Sequence, residues 1–227
     1  MENKFKSWLS VCTILLLVMQ MSLSTSCNDD LSAESYYTFT GENLFLTVSK
    51  QGGLPLVMAN SRQAGEGSID IESAKAIAQQ YLDALGFWNM QPNYFSIAGG
   101  IATINFAYQE GDVTVYPDLI KVGVSLDQGS VVALDTMAYV MSHVDARAIG
   151  KIEFTAEQAR AALPSGLEEL GYQLCIIPSS GGYELFCHEF RCRAGDGKTY
   201  LVYFNAYSGK QENILILIEN EASMLTM

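Results

Sequence analysis

The chain has 227 residues, 49% of them apolar and 17% charged, which excludes wholesale disorder and supplies material for packed cores. Its formal charge is −12. Such a surface repels nucleic acid and anionic lipid and suits solubility or a basic partner.

Lys4 and Lys6 open the chain, and Trp8 to Met19 is apolar apart from Ser10 and Thr13. Ser22, Ser24, Thr25 and Ser26 then lead to Cys27. This is the basic, apolar and small-residue layout of an export signal. Three fates stay open for residues 1–27: cleavage, retention as a membrane anchor, or lipidation at Cys27. The apolar run is shorter than the ~20 residues of a usual span, and a lipoprotein motif normally has an apolar residue where Ser24 stands. Cleavage would remove Glu2, Lys4 and Lys6 and leave a charge of −13.

From Ile69, Ala74, Ile77, Ala78, Tyr81, Leu82 and Leu85 form one apolar stripe and predict a helix near 70–85. Asp70 is its N-cap and Gly86 its stop. From Phe154 a second helix is expected near 155–170, with Thr155 and Gln158 at capping-box spacing and Pro164 ending or kinking it early. Ile69, Asp70, Glu72 and Ala74 superpose on Phe154, Thr155, Glu157 and Ala159 at a shift of 85. Four β-rich runs follow each helix. After the first they are Tyr94 to Ala98, Ile101 to Tyr108, Leu119 to Leu126 and Val131 to Tyr139. After the second they are Tyr172 to Ile177, Tyr183 to Arg191, Thr199 to Tyr207 and Glu212 to Ile218. Gly99-Gly100, Gly129, Gly181-Gly182 and Gly209 mark turns between them.

A partial copy comes earlier. LTVSKQGGLPLVM from Leu46 aligns with VGVSLDQGSVVAL from Val122, placing Val48, Ser49 and Gly53 on Val124, Ser125 and Gly129. The expected class is therefore α+β: the strands of a partial unit over 34–62, then tandem units over 69–147 and 153–220, each one helix packed on a four-stranded antiparallel sheet.

Tandem units of this kind resemble PepSY domains. VTVYPDLIKVGVSLDQGSVVALDTMAYVMSHVDAR from Val113, SKQGGLPLVMANSR from Ser49, ELFCHEF from Glu184 and the terminal MLTM resemble the spore germination protein YpeB family, over roughly 36–227. That family carries a membrane anchor and a long helical region before its PepSY units. Here only a short stretch separates the signal from half a unit, so a version lacking that region is expected. The resemblance implies a non-catalytic protein of the spore envelope, at or near the inner spore membrane. It would retain, stabilise or restrain a cortex-lytic cell-wall hydrolase of the SleB type. PepSY domains at large imply an alternative, a secreted or lipid-anchored inhibitor of an extracellular protease.

No reactive constellation competes with that reading. His143 and His188 have no HExxH and no ligand spacing, so neither a metal nor a cofactor is expected. Cys187 and His188 are adjacent on an expected strand and so face opposite ways. Cys175 and Cys187 flank a turn, as core thiols or as a facing pair across a hairpin. Glu168-Glu169 on an exposed helix end and Asp29-Asp30 near the mature start read as solvated charge rather than as an acid/base pair.

Four residues are candidate partner-binding positions, each with a plainer alternative. Tyr116 and Asp118 flank Pro117 at a strand entry, where Asp118 can bond backbone N–H groups. His143 can bond within the linker, sense pH or touch a partner. Arg147 has Asp145 or another acidic neighbour to pair with, or is solvated.

Overall fold

The computed structural model describes residues 36–226 except 51, 62, 63, 66 and 221. The segment expected to be a signal, anchor or lipid-bearing stretch, and the pair Asp29-Asp30, lie outside the described residues. Three strands come first: β1 (Tyr36–Thr40), β2 (Leu44–Ser49) and β3 (Pro55–Asn60). Helix α1 (Ile71–Leu85) leads into β4 (Met90–Ala98), β5 (Ile101–Glu110), β6 (Val113–Ser125) and β7 (Ser130–Asp135). Two short helices follow, α2 (Met137–Ser142) and α3 (Ala156–Ala161). The chain then forms β8 (Leu167–Pro178), β9 (Glu184–Ala194), β10 (Thr199–Asn205), β11 (Gln211–Asn220) and β12 (Ser223–Thr226).

The expected tandem of helix-on-sheet units is not what forms. All twelve strands join one sheet, in the order β1-β2-β3-β7-β6-β5-β4-β12-β11-β10-β9-β8, and a β6–β8 pairing closes eight of them into a barrel. Two contacts merge the repeats. β12 pairs with β4 through Ser223–Ser96 and Met224–Phe95. Val113–Val115 of β6 pair in parallel with Leu174–Ile176 of β8, so the sheet is not purely antiparallel.

Tyr116-Pro117-Asp118 is the hinge of this closure. β5 pairs Ala107 with Leu119 and Tyr108 with Val115, leaving the three residues between as a bulge. Pro117 has no N–H to give a ladder, which suits an unpaired position. Before the bulge β6 runs beside β8; after it, Lys121–Ser125 run beside β7. A bulge bends a strand and increases its twist, which is what a strand changing partners requires.

α1 forms as its sequence predicts. The Asp70 side chain accepts from Ser73 N at 2.7 Å, and Gly86 closes the helix in the left-handed region at φ 87°. Ala74, Ala78 and Leu82 are buried, with Ile77, Tyr81 and Leu85 packed beside them on Ile104, Phe106, Ile120 and Val122. α3 is the shorter copy. Its Thr155–Gln158 capping box is present, but the helix stops at Ala161 instead of running towards 170. Pro164 and Gly166, at φ 88°, end it, and Glu168-Glu169 lie on strand β8 rather than on a helix. The run expected as a strand to Tyr139 ends at Asp135, because Thr136 opens α2 by bonding Pro55 O at 2.7 Å.

The repeat has a physical counterpart at both helix starts. A Cβ at Gly129 would sit 3.0 Å from Ile69 Cδ1, and one at Gly209 would sit 2.7 Å from the Phe154 ring. Each pre-helix apolar residue rests on a glycine turn, and Ile69 N and Phe154 N donate to Leu126 O and Ala206 O.

Candidate functional site

Strand alternation sends β9 side chains two ways. Phe186, His188, Phe190 and Cys192 face outward, where α3 and the linker cover them. Cys187 and Glu189 face the barrel interior with Cys175, Leu201, Tyr203, Tyr94 and Tyr116. Cys187 and His188 thus point apart, as their adjacency requires. His188 Nε2 lies 2.7 Å from Phe154 O, so this nitrogen carries a proton, and Nδ1 lies 2.9 Å from the Tyr172 hydroxyl. Cys175 and Cys187 are register partners on β8 and β9. Both are buried free thiols, and burial pushes the Cys187 thiol up to about 12.

The interior cluster centres on Glu189, 6% exposed. Its carboxylate accepts from the Tyr116 hydroxyl at 2.8 Å and from Gln173 Nε2 at 2.7 Å. Burial raises its pKa above the ordinary glutamate range, opposed by these donors. Tyr94 stacks near Tyr116 at 6.4 Å, and burial pushes its phenol up to about 12. These groups border a cavity of about 350 Å³.

The second cluster lies where the repeats meet. Asp118, 0% exposed, has Ser142 Oγ at 2.8 Å and His143 Nδ1 at 2.7 Å. Arg147 reaches the same carboxylate through Nη1 at 3.1 Å and Nη2 at 2.7 Å. The guanidinium also grips Glu184 at the start of β9 through Nε and Nη2, both at 2.9 Å. The Arg147 backbone N–H donates to Glu110 Oε1 at 3.0 Å. Burial opposes the charge on Arg147, yet its bonds to Glu184 and Asp118 raise its pKa above the ordinary arginine value. The ring of His143 stacks on Tyr139 at 4.2 Å and meets Tyr108 edge-on at 4.7 Å.

The four candidate residues therefore divide. Asp118, His143 and Arg147 converge on one clamp, while Tyr116 turns into the barrel. Asp118 bonds side chains rather than turn amides, and Arg147 pairs with Asp118 and Glu184 rather than with Asp145. Sequence reading missed Glu184, Glu110, Ser142 and Glu189. Glu184 lies 37 positions from Arg147, and no local spacing signals such a pair. Among the described residues no cluster of His, Cys, Asp and Glu has the make-up of a metal site. No helix there is long and apolar enough to cross a membrane.

This architecture is a β-rich scaffold whose buried polar groups are tied to one another across the repeats. The family model for YpeB sporulation, PepSY1 and PepSY2 domains, matches residues 32–150, and the chain belongs to that family. The sporulation protein YpeB of Halalkalibacterium halodurans is 33% identical over 193 residues, 85% of this chain and 41% of the relative. Those of Oceanobacillus iheyensis and Bacillus subtilis are 29% and 24% identical, over 78% and 75% of this chain. The chain thus spans about two fifths of the length of these relatives. The solved C-terminal domain of Bacillus megaterium YpeB shares the fold, with a TM-score of 0.74 and 23% identity, over 91% of this chain and 97% of that one.

Proposed function

We propose that this chain is a non-catalytic binding protein of sporulation. On this reading it is exported to the spore envelope, at or near the inner spore membrane. There it retains, stabilises or restrains a cortex-lytic hydrolase of the SleB type. One observation carries the binding reading. The buried titratable groups that chemistry would recruit are held by structural partners: Asp118 by Arg147 and His143, Glu189 by Tyr116 and Gln173. A general acid or base needs a free face towards substrate; Asp118 is fully buried, and Glu189, although it borders the cavity, has one oxygen bonded to Tyr116 and the other to Gln173. Family membership supports this role over inhibition of an extracellular protease.

Within it, Tyr116, Asp118, His143 and Arg147 shape the contact surface from beneath. Asp118 is buried, and the Arg147 side chain is 5% exposed, so neither offers much area to a partner. The test is the hydrolase level in dormant spores lacking this protein. Loss of the hydrolase, restored by the wild-type chain, is expected. A normal level and normal restraint of cortex lysis would remove the mechanism.

A further inference from the structure

We infer that the outward face of α2 docks a basic, apolar segment of a partner protein, an inference that rests on the binding role proposed above. Met137, Val140 and Met141 recur at i, i+3 and i+4 on one side of α2, and Val144 follows just past its end, beyond the extended His143. They are 38, 39, 80 and 49% exposed. The inward side of α2 is already engaged: Tyr139 meets Phe87 edge-on at 5.3 Å and Tyr108 at 6.2 Å. A contiguous apolar face left in water marks an interaction site more often than a lone exposed residue does, and methionine adapts to varied partner shapes.

This face is held before any partner arrives. Thr136 anchors the start of α2 to Pro55 O, while Ser142 and His143 anchor its end to Asp118. A fixed helix loses little freedom on docking, which favours association. The buried clamp therefore acts on the surface through α2.

Charge defines the occupant. Four carboxylates flank this corner: Asp135 accepts from Met137 N at 3.0 Å, with Lys121 as its register partner on β6; Asp145 follows Val144; and Glu110 and Glu184 lie against Arg147, whose Nη2 donates to Ser142 O at the end of α2. Arg147, at their centre, is buried and already paired with Asp118 and Glu184. The rim is thus acidic around an apolar middle, and its complement is a segment with Lys or Arg around a few bulky apolar side chains. A second copy of this chain would bring the same carboxylates to the face, so like charge opposes self-association there.

The full chain and its Met141→Ser/Val144→Ser and Met137→Ser/Val140→Ser variants are titrated with a synthetic lysine–leucine amphipathic peptide. A glutamate–leucine peptide and a purified SleB-type hydrolase are titrated in parallel. The lysine–leucine peptide should bind, shift the Met137 and Met141 methyl resonances and weaken with salt. The glutamate–leucine peptide should not. Each variant that keeps its melting temperature should lose about tenfold or more in affinity for both the basic peptide and the hydrolase. Equal peptide binding by wild type and both variants overturns the inference, as does a dimer that the variants abolish. A hydrolase that binds wild type and variants alike overturns it too, while leaving the binding role intact. A peptide response without any hydrolase binding upholds the surface and removes the proposed partner.

Discussion

Asp118 carries a charge with no exposed surface, and it is tolerable there because Arg147, His143 and Ser142 supply donors on several sides. Removing the guanidinium strands that charge. Arg147→Ala should cost about 3–5 kcal/mol in denaturant unfolding. Arg147→Lys should recover part of it, since a single ammonium cannot reproduce the fork on Asp118 and Glu184. Glu189 is the other buried carboxylate, with opposite pH behaviour to a salt-bridged acid. Its folded pKa is raised by burial, so the folded chain keeps this proton after the unfolded chain has lost it. Its contribution to stability therefore falls as pH rises from the ordinary glutamate value, 4.5, to the higher folded value, and is level beyond it. Unfolding midpoints measured across that range should show this decline in wild type and lose it in Glu189→Gln. Tyr116→Phe removes one donor to Glu189 and should cost about 1–3 kcal/mol.

The two helix starts show how far a sequence pattern reaches. Asp70, Gly86 and the Thr155–Gln158 box perform locally what their spacing predicts, because a cap needs partners only three or four residues away. The repeat was legible for the same reason, as each pre-helix apolar residue needs a glycine turn beneath it. Gly209 and Gly53 both hold positive φ, 70° and 66°, but only a Cβ at Gly209 meets an aromatic ring. Gly209→Ala should therefore destabilise by about 1–3 kcal/mol more than Gly53→Ala, a difference that thermal or urea unfolding reads directly. What the sequence did not show was pairing at a distance. The parallel contact of Val113–Val115 with β8 and the seam of β12 on β4 join residues far apart, and neither leaves a periodicity behind. The end of β7 was misread because Val131 to Tyr139 stays β-rich to the eye. The change of period at Met137, Val140 and Met141 was present in the letters but was hidden by that run. The clamp was half legible: YPD and the His143–Arg147 stretch stood out, whereas Glu184 and Glu110 are brought to them by the barrel.

At the scale of the molecule, closure makes the repeats dependent on each other. β6 belongs to the first copy and seals against β8 of the second, Arg147 ties the linker to Glu184, and Ile149 and Ile152 pack over the seam beside Val113, Val115 and Phe186. Shared strands predict shared unfolding: 69–147 and 153–220 should melt in one calorimetric transition, with amides of both protected to a similar degree. Two separate transitions would mean that the units are stable alone. A scaffold of this kind works as a surface, with α2 presented on it and the buried carboxylates committed beneath. Calorimetric titration of the purified chain with a purified SleB-type cortex-lytic hydrolase reads that role most directly. The predicted result is a saturable stoichiometric complex, weakened by salt, from which both proteins are recovered covalently unchanged. Absence of binding at any ratio, or turnover of the hydrolase by this chain, would contradict it.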